Sequence, residues 1–306
     1  MASGEHERGE RGHLLVRTPN WVGDLVMATP ILAAALDCEH WGRVSFVVRA
    51  HLAAVLAGGP WESHVHTVGD ARSELALLRR LRPDGLLLLT NSLGAAIRAR
   101  LARVPQVFGT ALSGRRLFLT HAVVPPSHAG RRVPIPTAHL LRDVAGLAGI
   151  LPESLHPVLY VDEQLASEQR KGLERLGLAR AEDYVLCTPG AAFGAAKLWP
   201  PEAFAAVLDA LYERRGWRGV VTGGPGEEPL VERVVAAARH ASISLAREQR
   251  DLARLKPLVR GAKLLLVGDS GPRWYAAAFD VPCVTIMGPN FPELTASSLE
   301  LCRVVR

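Results

Sequence analysis

Four glycine-bearing loops, each following an apolar run and preceding a helical one, hold the residues best suited to chemistry. The first is Thr18-Pro19-Asn20-Trp21-Val22-Gly23-Asp24. Gly23 permits close approach of a ligand to the backbone, and the short carboxylate of Asp24 at a helix start can receive a proton. Aspartate also caps helices there, which is the competing reading. The second loop, residues 188–200, holds one cation, Lys197, just ahead of a Trp-Pro helix start. An ammonium and helix-end amides acting together suit a phosphate, whereas an incidental lysine on an exposed loop is the bland alternative. The third, residues 221–228, is a glycine turn ending in Glu227 and Glu228. Carboxylates there can hold ribose hydroxyls, or simply favour the helix dipole. The fourth is Gly268-Asp269-Ser270-Gly271, whose amides and hydroxyl can hold a diphosphate but which alone would read as an ordinary cap and turn.

These loops need a scaffold that presents them all at equivalent places. A chain of 306 residues fits two domains of about 150 residues each. In the first part, strand-like runs at 13–18, 44–48, 86–90, 104–109 and 121–124 alternate with helical patterns at 25–36, 73–81 and 138–149. Residues 86–90 are continuously apolar, as a strand buried on both faces of a parallel sheet requires. After a proline-containing stretch at 151–161 and a charged helix at 162–176 the alternation restarts. Strands are expected at 184–187, 219–221, 263–267 and 281–287, and helices at 201–215, 228–240 and 252–259. The expected architecture is α/β, two Rossmann-like domains facing a cleft: a loose, charged tail at 1–12, a first domain at 13–160 and a second at 161–306. In open sheets of this kind ligands sit beyond the carboxyl ends of the strands, where all four loops fall.

Composition narrows the class further. The chain is 48% hydrophobic and 22% charged, enough apolar residue for real cores. Its longest uncharged apolar stretches, residues 25–36 and 86–97, are too short to span a membrane, and the tail has no signal-like apolar segment, so a cytoplasmic location is expected. Cys38, Cys187, Cys283 and Cys302 are far apart, with neither a disulfide framework nor a zinc pattern. The net charge is +6, and between Asp84 and Asp143 there are no acids but eight arginines, Arg98, Arg100, Arg103, Arg115, Arg116, Arg131, Arg132 and Arg142. Such a stretch suits an anionic partner or a solvated surface. Nucleic acid is disfavoured, because few aromatics interleave with the arginines and no binding motif accompanies them. The dinucleotide fingerprint, the P-loop and the Gly-x-Ser-x-Gly elbow are all absent.

Taken together, the loops resemble those of the ADP-heptose:lipopolysaccharide heptosyltransferases. Residues 18–24 with Met27-Ala28-Thr29-Pro30 look like that family's opening loop and helix. Residues 189–201 resemble its donor-phosphate loop, and Asp269-Ser270-Gly271 with Ala276-Ala277-Ala278 its last nucleotide-sugar loop. Asn91-Ser92 and the arginines that follow are more like the second heptosyltransferase than the first. The resemblance covers roughly residues 13 to 295. It implies a glycosyltransferase-B fold with an acceptor-binding first domain and a nucleotide-sugar-binding second one. It further implies inverting transfer of L-glycero-D-manno-heptose from ADP-heptose to the heptosylated Kdo-lipid A inner core, with no cofactor and no metal in the catalytic step. On that resemblance Asp24 is the general base and Lys197 neutralises the departing diphosphate. Thr188, Gly190, Lys197, Glu227 (or Glu228), Asp269, Ser270 and Gly271 bind the donor, and Asn20, Asn91, Ser92, Arg98, Arg115 and Arg116 the acceptor. Transient contact of the basic half with the inner membrane is compatible with such an acceptor. Trp274 stands where the family usually has histidine, and the chain ends at Arg306, earlier than family members do. A non-catalytic nucleotide-sugar-binding protein, or a transferase with another sugar or acceptor, therefore stays open as an alternative.

Overall fold

A computed structural model describes residues 12–129, 131–180, 182–191, 197–248 and 251–306. Most of the tail at 1–12 and residues 192–196 of the second loop lie outside the described residues. Internal contacts divide the chain into two units. One runs to His156 and includes Glu293–Ser297; the other comprises Pro157–Pro292 and Ser298–Arg306.

In the first unit β1 (His13–Arg17), α1 (Val22–Leu36), β2 (Arg43–Arg49), β3 (Val65–Val68) and α2 (Ala71–Leu81) are followed by β4 (Gly85–Leu88) and α3 (Leu93–Leu101). Then come β5 (Gln106–Thr110), β6 (His121–Val123), the small antiparallel pair β7 (Ser127–His128) and β8 (Arg131–Arg132), and α4 (Thr137–Gly146). The six main strands pair in parallel in the order β3-β2-β1-β4-β5-β6. Leu15, Leu86, Leu88 and Val107 form one core with Ala95, Ala96 and Ala99 of α3. The three alanines bring α3 close to the sheet, because small side chains leave room for helix backbone.

The second unit repeats the scheme. It contains α5 (Glu163–Arg175), β9 (Tyr184–Thr188), α6 (Pro201–Arg215), β10 (Arg218–Val221), α7 (Glu228–Ala237) and β11 (Ile243–Ser244). These are followed by α8 (Leu252–Arg260), β12 (Leu264–Gly268), α9 (Pro272–Ala278), β13 (Cys283–Ile286) and β14 (Cys302–Val305). Its parallel sheet runs β11-β10-β9-β12-β13-β14, the same order with the strands renumbered. In each sheet the order reverses between the first and fourth strands, and loops leaving those strands flank a ligand crevice.

Local chemistry explains how two key helices are held. In α1 the imino group of Pro30 cannot bond the carbonyl of Val26, and the hydroxyl of Thr29 donates to that carbonyl at 2.7 Å instead. The Thr-Pro pair thus lets a proline sit inside a buried helix without orphaning an acceptor. In α6, Pro201 occupies the first helical position, and Trp199 before the cap packs edge-on against Phe204, 5.0 Å between ring centres. This hydrophobic staple fixes the chain two residues after Lys197. Gly216, at φ +71°, closes the same helix in the left-handed region.

Among the described residues β3, β7, β8, β11 and β14 are strands that the sequence patterns do not mark. All lie towards or at sheet edges, where β14 alternates partly buried and exposed residues and β11 is only two residues long.

Candidate functional site

The cavity in the first unit lies at the carboxyl ends of β1 and β4, the reversal point of the sheet. It measures about 300 Å³ and is lined by Asn20, Asp24, Thr90, Asn91, Ser92 and Thr110 among its polar residues, with Trp21, Leu140 and Leu141 among the apolar ones.

Asp24 is the third residue of α1, whose cap position is Trp21, so it does not cap the helix as the competing reading required. Among the described residues nothing donates to its carboxylate. Burial alone pushes it up from an ordinary 3.8 to about 6. The carboxylate is half-buried, unpartnered and on a cavity wall.

The polar groups around it are held from behind by a chain of buried contacts. Arg17, which is buried, donates to the Thr18 carbonyl at 2.6 Å and to Oδ1 of Asn20 at 2.7 Å. Nδ2 of Asn20 donates to the Thr90 hydroxyl at 3.0 Å. On its other side Arg17 forms an ion pair with Glu74 of α2 (Nε to Oε2, 3.3 Å), and the same oxygen takes Nη2 of Arg98 at 3.0 Å. Desolvation lowers the Arg17 guanidinium from its usual range, against the pull of Glu74. Arg115 is fully buried and donates to the carbonyls of Thr90 (2.6 Å) and Leu112 (3.2 Å) and to Oδ1 of Asn91 (2.7 Å). Ser92 caps α3, its hydroxyl accepting from the Ala95 amide at 3.3 Å.

Arg98 and Arg115, expected to contact an anionic acceptor, have internal partners in the structure: Arg98 pairs with Glu74, and Arg115 holds Thr90 and Asn91. Density of charge along a sequence carries no information about burial, so these internal partners were not legible there. Arg116 is exposed. The network also contains Arg17, Glu74 and Thr90, which the sequence motifs did not single out. Glu74 carried a readable signal, because it shares a helix face with Leu77 and Leu78 at three- and four-residue spacing, an acid on an apolar stripe.

In the second unit the remaining candidates gather at the equivalent reversal point, beyond β9, β10 and β12. Nζ of Lys197 lies 3.0 Å from Oδ2 of Asp269. The same carboxylate oxygen accepts from Nδ2 of Asn290, a residue of the loop after β13 that the motifs missed. Glu227 precedes α7 and folds back so that Oε2 accepts from the Gly224 amide at 2.7 Å. Its carboxylate lies so close to Gly190 that a Cβ there would be 2.1 Å from an oxygen. Glycine at 190 is therefore a requirement for the position of Glu227, and Glu227 rather than Glu228 is the carboxylate brought to the second loop. The Thr188 hydroxyl, at the end of β9, is buried without a partner among the described residues. Ser270 and Gly271 lead into α9, and Trp274 packs inward there beneath the Arg273 guanidinium, 4.6 Å from the ring centre.

Among the described residues no group of three or more His, Cys, Asp or Glu side chains comes together, and no helix is long and apolar enough to cross a membrane.

Known proteins share the sequence family and the fold of this chain. The model of glycosyltransferase family 9 (heptosyltransferase) matches residues 75–305. Lipopolysaccharide heptosyltransferase 2 of Salmonella typhimurium is 26% identical, over 96% of this chain and 87% of its own length. The solved structure of Escherichia coli ADP-heptose lipopolysaccharide heptosyltransferase II is similar with a TM-score of 0.80 at 25% identity, covering 96% of this chain and 90% of that one. An E. coli heptosyltransferase solved with ADP-2-deoxy-2-fluoro heptose shares the fold, with a TM-score of 0.65 at 19% identity, over 96% and 93% of the two chains. The fold is of the glycosyltransferase-B type, two parallel α/β sheets, and the chain belongs to glycosyltransferase family 9, the heptosyltransferases.

Proposed function

We propose that this chain transfers L-glycero-D-manno-heptose, with inversion, from ADP-heptose to the heptosylated, Kdo-bearing lipid A inner core of lipopolysaccharide. The observation that carries the reading is Asp24, an unpartnered carboxylate raised to about 6 by burial on a cavity wall at the sheet's reversal point. A base of that strength is ionised near neutral pH and still accepts a proton readily. The acceptor hydroxyl oxygen forms its bond to the anomeric carbon while its proton passes to Asp24. The bond from that carbon to the diphosphate oxygen breaks with its electron pair, and ADP leaves.

Lys197 and the amides around Ser270 and Gly271 neutralise the charge that builds on the departing diphosphate, the point at which such contacts accelerate the step. Lys197 exchanges Asp269 for phosphate as donor binds, which frees Asp269 for sugar hydroxyls. Glu227 takes the ribose, and Thr188 and Gly190 border the same place. Asn20, Asn91 and Ser92 meet the acceptor in the first-unit cavity. Arg116 and its neighbour Leu117, 86% exposed, provide a basic and apolar contact for the cytoplasmic face of the inner membrane, where the acceptor resides. The names of the relatives support the donor and the acceptor class alike.

The test is ADP release from ADP-heptose with mono-heptosylated Kdo-lipid A, comparing the intact chain with Asp24→Ala at matched donor binding. The expected result is acceptor-dependent release that the variant loses by at least about a hundredfold. Binding of both substrates by the intact chain without release would overturn the reading in favour of a non-catalytic nucleotide-sugar-binding protein.

A further inference from the structure

Three consecutive residues after β4 line the first-unit cavity, and each already accepts one hydrogen bond from within the protein. A guanidinium has no lone pair, so any amide atom facing it must be the carbonyl oxygen. Arg17 therefore fixes Oδ1 of Asn20 towards itself and turns Nδ2 onto the Thr90 hydroxyl. That hydroxyl is an acceptor in this contact, and among the described residues nothing takes its proton, although Thr90 is buried. By the same logic Arg115 holds Oδ1 of Asn91, leaving the two N–H groups of Nδ2. The Ser92 oxygen accepts from Ala95, leaving its proton as well. Each of Thr90, Asn91 and Ser92 thus keeps at least one donor with no partner among the described residues, and one acceptor position of each is already taken.

Charge points the same way. Behind this loop Arg17 and Arg98 share one carboxylate, Glu74, while Arg115 donates only to carbonyl and amide oxygens, those of Thr90, Leu112 and Asn91. The surplus positive charge is buried, where screening by salt is weak. Asp24 is the one carboxylate among the cavity-lining residues.

We infer that Thr90, Asn91 and Ser92 form a donor cradle for an anionic oxygen group of the acceptor, orienting it beside Asp24. The inference rests on the acceptor assignment proposed above and adds to it the chemistry of the contact. Asn20 and Arg115 are positioning residues for the cradle. Arg17 acts one contact further back, through Asn20. The acceptor class offers anionic oxygens from two sources, carboxylates of its sugar acids and phosphates, and both would be read by the same donors.

Asn91→Asp tests this with little disturbance of the fold, because a carboxylate oxygen accepts from Arg115 as the amide oxygen did. The donor nitrogen, however, becomes a second anionic oxygen. The expected result is a KM for the acceptor raised at least about tenfold, as loss of a charge-assisted hydrogen bond implies, with the KM for ADP-heptose unmoved. The same comparison with methyl-esterified and with phosphatase-treated acceptor identifies the source, since the penalty shrinks on whichever acceptor lacks the recognised group. An unchanged KM, or an equal rise on all three acceptors, would overturn the cradle. A second measurement needs no turnover: binding of free Kdo and of inorganic phosphate to the full chain, followed by ligand-observed NMR. One of the two probes should bind the intact chain and lose affinity with Asn91→Asp, and equal binding to both forms would also overturn the inference. If the intact chain releases no ADP with any acceptor, the proposed activity fails while this binding comparison still decides the cradle.

Discussion

Oε2 of Glu74 lies 3.3 Å from Nε of Arg17 and 3.0 Å from Nη2 of Arg98, so one buried carboxylate oxygen holds two guanidiniums. Removing its charge strands both cations in the interior. Glu74→Gln is expected to lose about 3–5 kcal/mol of stability, the range for a buried pair deprived of one partner, read as a fall in the urea midpoint at constant slope. A loss below about 1 kcal/mol would mean that water reaches the two arginines.

The raised carboxyl of Asp24 gives activity and stability opposite dependences on pH. Its folded form binds a proton more tightly than the unfolded chain, where it titrates near 3.8. The stability it lends is complete below about 3.8 and is lost as pH rises through about 6. Activity should instead rise through about 6 as the base ionises, giving the acid limb of the kcat/KM profile. Asp24→Asn is expected to lose at least about a hundredfold in kcat/KM yet to be more stable than the intact chain at pH 8, by on the order of 1–3 kcal/mol. Equal melting temperatures of the two proteins at pH 8 would contradict the burial argument.

Gly190 admits the Glu227 carboxylate, and a methyl group there would displace only the far end of a flexible side chain. Gly190→Ala should therefore leave stability within about 1 kcal/mol and weaken ADP binding several-fold in calorimetry, through loss of one ribose contact. Restored affinity for an analogue without ribose hydroxyls would attribute the loss to that contact.

The hydroxyl of Thr29 replaces the amide that Pro30 lacks. Thr29→Val keeps the shape and leaves the Val26 carbonyl buried without that donor. A loss of about 1–3 kcal/mol is expected in thermal or urea unfolding. The double variant Thr29→Val, Pro30→Ala should recover part of it, because the restored amide can satisfy Val26 again.

The central strands were legible because both their faces are buried, so apolar runs such as residues 86–88 have no polar interruption. The edge strands β3 and β14 were not, since a half-exposed edge carries the composition of a loop. Asp24 stood out as a short carboxylate in a glycine turn after the first strand, a place fixed by local pattern. The burial of Arg115 was not legible, because it depends on a turn folding back over the carbonyl of Thr90, 25 residues earlier. Asn290 escaped for a related reason: its contact with Asp269 comes from neighbouring strands meeting across the sheet, which no local spacing records.

The same strand order occurs twice in one chain, and each cluster of candidate residues hangs on loops of its own sheet. Under the proposed assignment selectivity is modular: substitutions in residues 18–21 and 89–92 would retune which acceptor is read, and changes around Gly190 or Asp269 would act on the donor instead. A family built this way can diversify its products by drift in one half at a time, and exchange of equivalent loops between relatives is a practical route to new linkages.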